Sequence, residues 1–244
     1  MPGTCRSLAP APAAAVPVIR TGLLGGSFNP AHRGHRALSI HAAQALDLDE
    51  IWWLVSPGNP LKQAADMAPL PARFASARRA ARGLPVRVTA IERALGTRYT
   101  ADTLHKLRLR FPNREFVWLM GADNLAQFHR WRSWRRIAAT VAIAVVARPR
   151  YEGAARAARA MGWLRRFVRP AASARHWTTW RLPALVLLDL PPDPTSATAL
   201  RAAEPDWHNK LTETFNPQAL RDGVTRRPLQ SRRHFARTST RSAS

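Results

Sequence analysis

Two histidines three residues apart, His32 and His35, follow a pair of glycines in the stretch Gly25-Gly26-Ser27-Phe28-Asn29-Pro30-Ala31-His32-Arg33-Gly34-His35. At that spacing the imidazoles share one face at the start of a helix. Adjacent glycines allow a sharp backbone turn and let a ligand approach with no Cβ in the way. The amides that follow, with the unpaired N–H groups of a helix start, form a ready anion site. Imidazoles beside such donors suit the holding of phosphate oxygens. No serine–histidine–acid arrangement for covalent catalysis is evident.

The elements that must position this turn are legible on either side of it. An apolar run from Val18 to Leu24 reads as a strand leading in. Leu38, Ala42 and Leu46, four apart, read as the buried face of a helix leading out. Further strands are expected at 50–56, 86–91, 115–120, 141–147 and 184–189, and helices at 71–82, 100–110, 124–139 and roughly 153–167. Alternation should send Trp52 and Trp53 to opposite faces of the sheet. Strands alternating with helices predict an α/β, Rossmann-like, doubly wound and mostly parallel sheet with helices on both faces. Its ligand should lie outside the carboxyl ends of the strands, where the glycine turn sits.

Composition sets outer bounds. At 46% hydrophobic and 22% charged, 244 residues can bury a substantial core. A net charge of +23 attracts nucleic acid, anionic lipid or phosphorylated small molecules. The single cysteine, Cys5, allows no internal disulfide and fits a reducing, cytoplasmic compartment. Apolar runs are too short for a membrane helix. Three segments are expected: a flexible Pro/Ala-rich extension at 1–17, one catalytic domain at 18–205, and a basic, disordered tail at 206–244. Removal of that tail should cost little stability.

The glycine–histidine stretch resembles the signature GG(S/T)F(D/N)PxHxGH of the HxGH nucleotidylyltransferase superfamily, with every fixed position filled. Four more blocks resemble those of bacterial nicotinate-nucleotide adenylyltransferase: Val55 to Lys62, Arg98 to Leu104, Leu119 to Leu125 with the Trp131 region, and Thr195 to Arg201. The resemblance covers about residues 18–203. It departs at Leu61, where many members carry histidine, and at Thr195, where the family prefers an aliphatic residue.

The resemblance implies transfer of AMP from ATP to nicotinate mononucleotide, with Mg²⁺ accompanying the ATP. It implies catalytic roles for His32, His35 and Arg201. ATP or its phosphates would meet Gly25, Gly26, Ser27, Phe28, Lys62, Gly121, Asp123, Ser196 and Thr198. The nicotinate nucleotide would meet Thr100 and Trp131, and no protein-held metal is expected. Alternatives are a related transferase using nicotinamide mononucleotide or another phosphorylated acceptor and, in another class, a basic nucleic-acid-binding protein. Nucleic acid contact is otherwise expected only as non-specific binding by the tail.

Overall fold

The computed structural model describes residues 17–58, 67–147, 152–189, 197–213 and 215–229. The chain alternates as the periodicity predicts: β1 Ile19–Gly26, α1 Arg33–Leu46, β2 Glu50–Val55, α2 Leu70–Ala80, β3 Val86–Thr89, α3 Ile91–Leu95, α4 Thr100–Arg110 and β4 Arg114–Gly121. Then come α5 Ala122–Gln127, α6 Trp134–Thr140, β5 Ala142–Ala147, α7 Glu152–Ala157, α8 Met161–Leu164, β6 Val168–Arg169, β7 Leu185–Asp189, α9 Ala197–Ala203 and α10 Trp207–Glu213. The seven described strands all run parallel, in the order β3-β2-β1-β4-β5-β7-β6.

The order reverses between β1 and β4, and at that switch point the carboxyl ends of the strands open a crevice. Gly25 and Gly26 close β1 and Gly121 closes β4, so both glycine turns flank it. Trp52 and Trp53 are buried on opposite faces, the first among Leu23, Leu104 and Trp118, the second among Leu24, Phe74 and Leu119. Each buries on the order of 200 Å², worth at most about 5 kcal/mol by area. Their indole N–H groups are satisfied too, by Glu50 Oε1 at 2.7 Å and by Ser39 Oγ at 2.8 Å.

Two expected helices are broken. The one at 124–139 splits into α5, a 3₁₀ turn Phe128–Arg130 and α6, with Ser133 left-handed at φ 53° between them. The one at 153–167 breaks at 158–160. Ala158 and Ala160 of this break are buried, as are Met161 and Leu164 of α8. The third strand stops at Thr89, and Ile91 starts the short α3 instead.

Past the boundary expected at 205 the chain continues against the domain. Helix α10 packs on α2, and Trp207, Leu220 and Leu229 are buried. Asp222 is buried at the end of β3, where its carboxylate accepts from Thr89 Oγ1 at 2.9 Å and Ala90 N at 2.7 Å. Gly223 N donates to Val88 O at 2.8 Å, and a Cβ on Gly223 would come within 2.6 Å of that oxygen. Three widely spaced apolar residues give no periodic signal, and Thr89 and Ala90, through which Asp222 holds the domain, lie far away in sequence. The expected extension at 1–17 and the chain after Leu229 lie outside the described residues, apart from Pro17.

Truncation after residue 205 is therefore expected to destabilise the protein. It strips apolar cover and leaves a buried hydroxyl and amide unpaired, at roughly 1–3 kcal/mol each. A melting temperature lower by about 10 °C is expected, at 2–4 °C per kcal/mol for a chain of this size. Thermal unfolding followed by circular dichroism checks it, and an unchanged transition would restore the loose-tail picture.

Candidate active site

The glycine turn is shaped by what stands behind it. A Cβ on Gly25 would come within 2.4 Å of the Trp118 ring, so the backbone passes closer to that indole than any side chain allows. Phe28 takes a left-handed φ of 47°. Its ring stacks on Trp53 at a centroid distance of 5.1 Å and lies 4.7 Å from the His35 ring. That packing holds in place a conformation that bulky residues rarely adopt.

The two histidines cap α1. His32 is the N-cap, and its Nδ1 accepts from Gly34 N at 3.1 Å. His35, three residues on, accepts from His32 N through its own Nδ1 at 3.2 Å. Here imidazoles fill the places that serine and glutamate take in the usual capping box. Each Nδ1 lone pair is committed to a backbone N–H, so the neutral ring carries its proton on Nε2. The ring centroids are 3.9 Å apart. Facing them, Arg201 on α9 donates to Asn29 O at 2.7 Å and to Thr198 Oγ1 at 3.3 Å.

These groups line a cleft of ≈ 690 Å³. Of the residues singled out in the sequence, Gly25, Gly26, Ser27, Phe28, His32, His35, Thr100, Gly121, Asp123, Trp131, Thr198 and Arg201 all line it. The break between α5 and α6 is what carries Trp131 there, where its ring meets Trp118 and Phe128 edge-on. Lys62 and Ser196 lie outside the described residues, as do Leu61 and Thr195. Arg98 and Arg132 also line the cleft and flank the Tyr99 ring, their Cζ atoms 5.9 and 4.5 Å from its centroid. That rim is strongly positive.

The sequence model of the cytidylyltransferase-like family matches residues 23–203. A protein of Erythrobacter litoralis named "probable nicotinate-nucleotide adenylyltransferase" is 60% identical over 86% of this chain and 94% of its own length. One of the same name from Cereibacter sphaeroides is 52% identical over 74% and 96%. The chain belongs to the nicotinate-nucleotide adenylyltransferase family. The nicotinic acid mononucleotide adenylyltransferase of Plasmodium falciparum shares the fold, with a TM-score of 0.54 at 14% identity over 75% of this chain and 83% of that one.

Two residues at this nicotinate-nucleotide adenylyltransferase cleft escape the sequence reading. Arg73 of α2 is 1% exposed and among the described residues donates to carbonyls: Nε to Ala68 O at 2.8 Å, Nη1 to Ser27 O at 2.8 Å and Ser56 O at 2.7 Å, Nη2 to Pro57 O at 3.2 Å. One guanidinium thus ties the glycine turn to the end of β2. Burial pushes its pKa down to about 10, so it stays charged at neutral pH. A basic residue on a helix reads from sequence as solvated, and no spacing reveals otherwise. Arg73→Met leaves several carbonyls without a donor and is expected to cost about 3–5 kcal/mol in urea unfolding. Arg73→Lys keeps the charge but not the fork, and should cost less. Parental stability in Arg73→Met would refute this role.

Glu92 of α3 lines the cleft with its carboxyl buried near Ser56 and Thr103. Burial pushes its pKa up to about 7 against the two hydroxyls, which lower it. Its one sequence signal is a carboxylate just past the end of an apolar strand. The folded pKa exceeds the unfolded value of 4.5, so the favourable contribution is complete below pH 4.5 and is lost as pH rises to about 7. The loss amounts to about 1.4 kcal/mol per pH unit across that window. Glu92→Gln should flatten the dependence and match or exceed parental stability at pH 8. A parental slope between pH 4.5 and 7 in that variant would contradict the assignment.

Proposed function

We propose that the chain transfers AMP from ATP to nicotinate mononucleotide, forming nicotinate adenine dinucleotide and pyrophosphate. An oxygen of the mononucleotide phosphate attacks the α-phosphorus, and the bond to the β-phosphate breaks. The acceptor phosphate has a second pKa near ~6, so at neutral pH it is already the nucleophilic dianion and needs no general base. What remains is to hold two anions in line and to stabilise charge on the α-phosphate and the departing pyrophosphate.

The observation that carries this reading is the pair of Nδ1-committed imidazoles. Their caps, made through Nδ1, fix the orientation of both rings in the cleft. His32 and His35 are assigned to the reacting phosphates, with Arg201 opposite and the amides from Gly26 to Phe28 behind. Gly25, Lys62, Ser196 and Thr198 are assigned to the triphosphate, and Gly121 and Asp123 to the adenosine. Thr100 and Trp131 are assigned to the nicotinate nucleotide.

The residues present fit a Mg²⁺ carried in by ATP rather than a protein-built cage. Among the described residues no cluster of three or more metal-ligating side chains occurs. The cleft offers only the carboxyls of Asp123 and Glu92. Bound to the phosphates, the ion would supply further charge neutralisation. No described helix is long and apolar enough to cross a membrane, and we assign the protein to the cytoplasm.

The test is product analysis with purified protein. ATP with nicotinate mononucleotide should give pyrophosphate and dinucleotide in equal amounts, and ATP alone should give neither. Comparable pyrophosphate release with pantetheine phosphate as acceptor would overturn the reading.

A further inference from the structure

A second concavity, of ≈ 570 Å³, lies where the end of α2, β3 and the segment 219–226 meet. Arg78, Arg82, Arg87, Arg221 and Arg226 line it. They are five of its eleven lining residues, against 38 lysines and arginines in 244, so the concentration exceeds the chain's general basicity.

Among the described residues little neutralises them. Asp222 is the acid in the lining, and its carboxylate is already bound by Thr89, Ala90, Val224 and Thr225. Arg87 pairs with Glu50, which Arg114 shares. Among the described residues no ion pair engages Arg78, Arg82, Arg221 or Arg226. The turn that brings in Arg226 also holds it at φ 60°, where glycine would be unstrained. Converging guanidinium forks with spare donors match the oxygens of a phosphate chain.

We propose that this pocket binds a compact oligophosphate, either the phosphate chain of a nucleotide or inorganic polyphosphate. A nucleic-acid strand fits it less well. No aromatic side chain lines the pocket to stack a base.

The experiment is calorimetric titration of the full chain with inorganic tripolyphosphate, with saturating nicotinate adenine dinucleotide present to fill the main cleft. One equivalent should bind, more weakly as salt rises. Arg78→Ser/Arg82→Ser and Arg221→Ser/Arg226→Ser should each weaken it by about tenfold or more. Arg165→Ser/Arg169→Ser, which removes the same charge elsewhere, should not. The two pocket variants come from separate elements, so misfolding of one leaves the other as a test, and pyrophosphate release should be unaffected in both. Should the dinucleotide fail to fill the cleft, two equivalents would bind, of which the pocket variants would remove one.

A parallel titration with ATP separates the sources. Tighter binding than tripolyphosphate assigns the site to nucleotides, and equal binding assigns it to the phosphate chain alone. Unchanged affinity in both pocket variants would overturn the proposal, as would an equal loss in the Arg165/Arg169 control. Tight binding of a single-stranded oligonucleotide with none of tripolyphosphate would overturn it in favour of a nucleic-acid face.

Discussion

Alanine in place of His32 or His35 is expected to lower turnover by roughly 10²–10⁴-fold, with a much smaller loss in ATP binding. In the proposed mechanism each Nε2–H would meet charge that grows as the α-phosphate passes through the transition state, and so would serve that state more than the ground state. The capping geometry permits a cleaner version of the test. Because each imidazole also satisfies a backbone N–H of α1, alanine removes a cap worth about 1 kcal/mol along with the donor. Serine at 32 with glutamine at 35 rebuilds the ordinary capping box without either imidazole. The double variant His32→Ser/His35→Gln should therefore melt near the parental temperature and still have lost its turnover. Parental stability with near-parental turnover would remove the histidines from the chemistry. A large fall in melting temperature would show that the caps are more than the capping box describes.

Local features of this protein are written plainly in the sequence, and long-range ones are not. The glycine turn, the start of α1 and the opposite burial of Trp52 and Trp53 follow from spacing alone, because each depends on neighbours within a few residues. The parallel sheet follows from alternation of strands and helices. Its switch point between β1 and β4 depends on pairings nearly a hundred residues apart, which periodicity does not encode. Arg73 is hidden for a related reason. Its acceptors are main-chain carbonyls of Ser27, Ser56, Pro57 and Ala68, and a carbonyl has no signature in sequence. The segment 207–229 reads as part of a solvated tail because it is polar and basic with no apolar periodicity, while its hold on the domain rests on Asp222 and three scattered apolar residues. The break that delivers Trp131 is likewise invisible, since 124–139 has good helical composition and turns only at a left-handed Ser133.

The second large effect concerns acid against amide at the pyridine ring. Thr100 opens α4, and no side chain caps that helix from Tyr99, so its hydroxyl and the first amides of α4 are donors at a positive helix end. Arg98 and Arg132 add positive charge around Tyr99. Acceptors for an amide NH₂ are scarce. Asp102, the nearest carboxylate in sequence, pairs with Arg136, and Glu92 is buried near Ser56 and Thr103. With the pyridine ring placed at Thr100 as proposed, a carboxylate would meet donors, whereas an amide would turn its own donors against them and leave groups unpaired, at roughly 1–3 kcal/mol each. One or two such mismatches correspond to about tenfold to several thousandfold, at 1.4 kcal/mol per decade. Thr100→Val should narrow the gap, chiefly by harming the acid. The deciding measurement is kcat/KM for nicotinate and nicotinamide mononucleotide side by side, with ATP saturating. This account predicts a preference for the acid of at least ~100-fold; equal efficiencies, or a preference for the amide, would contradict it.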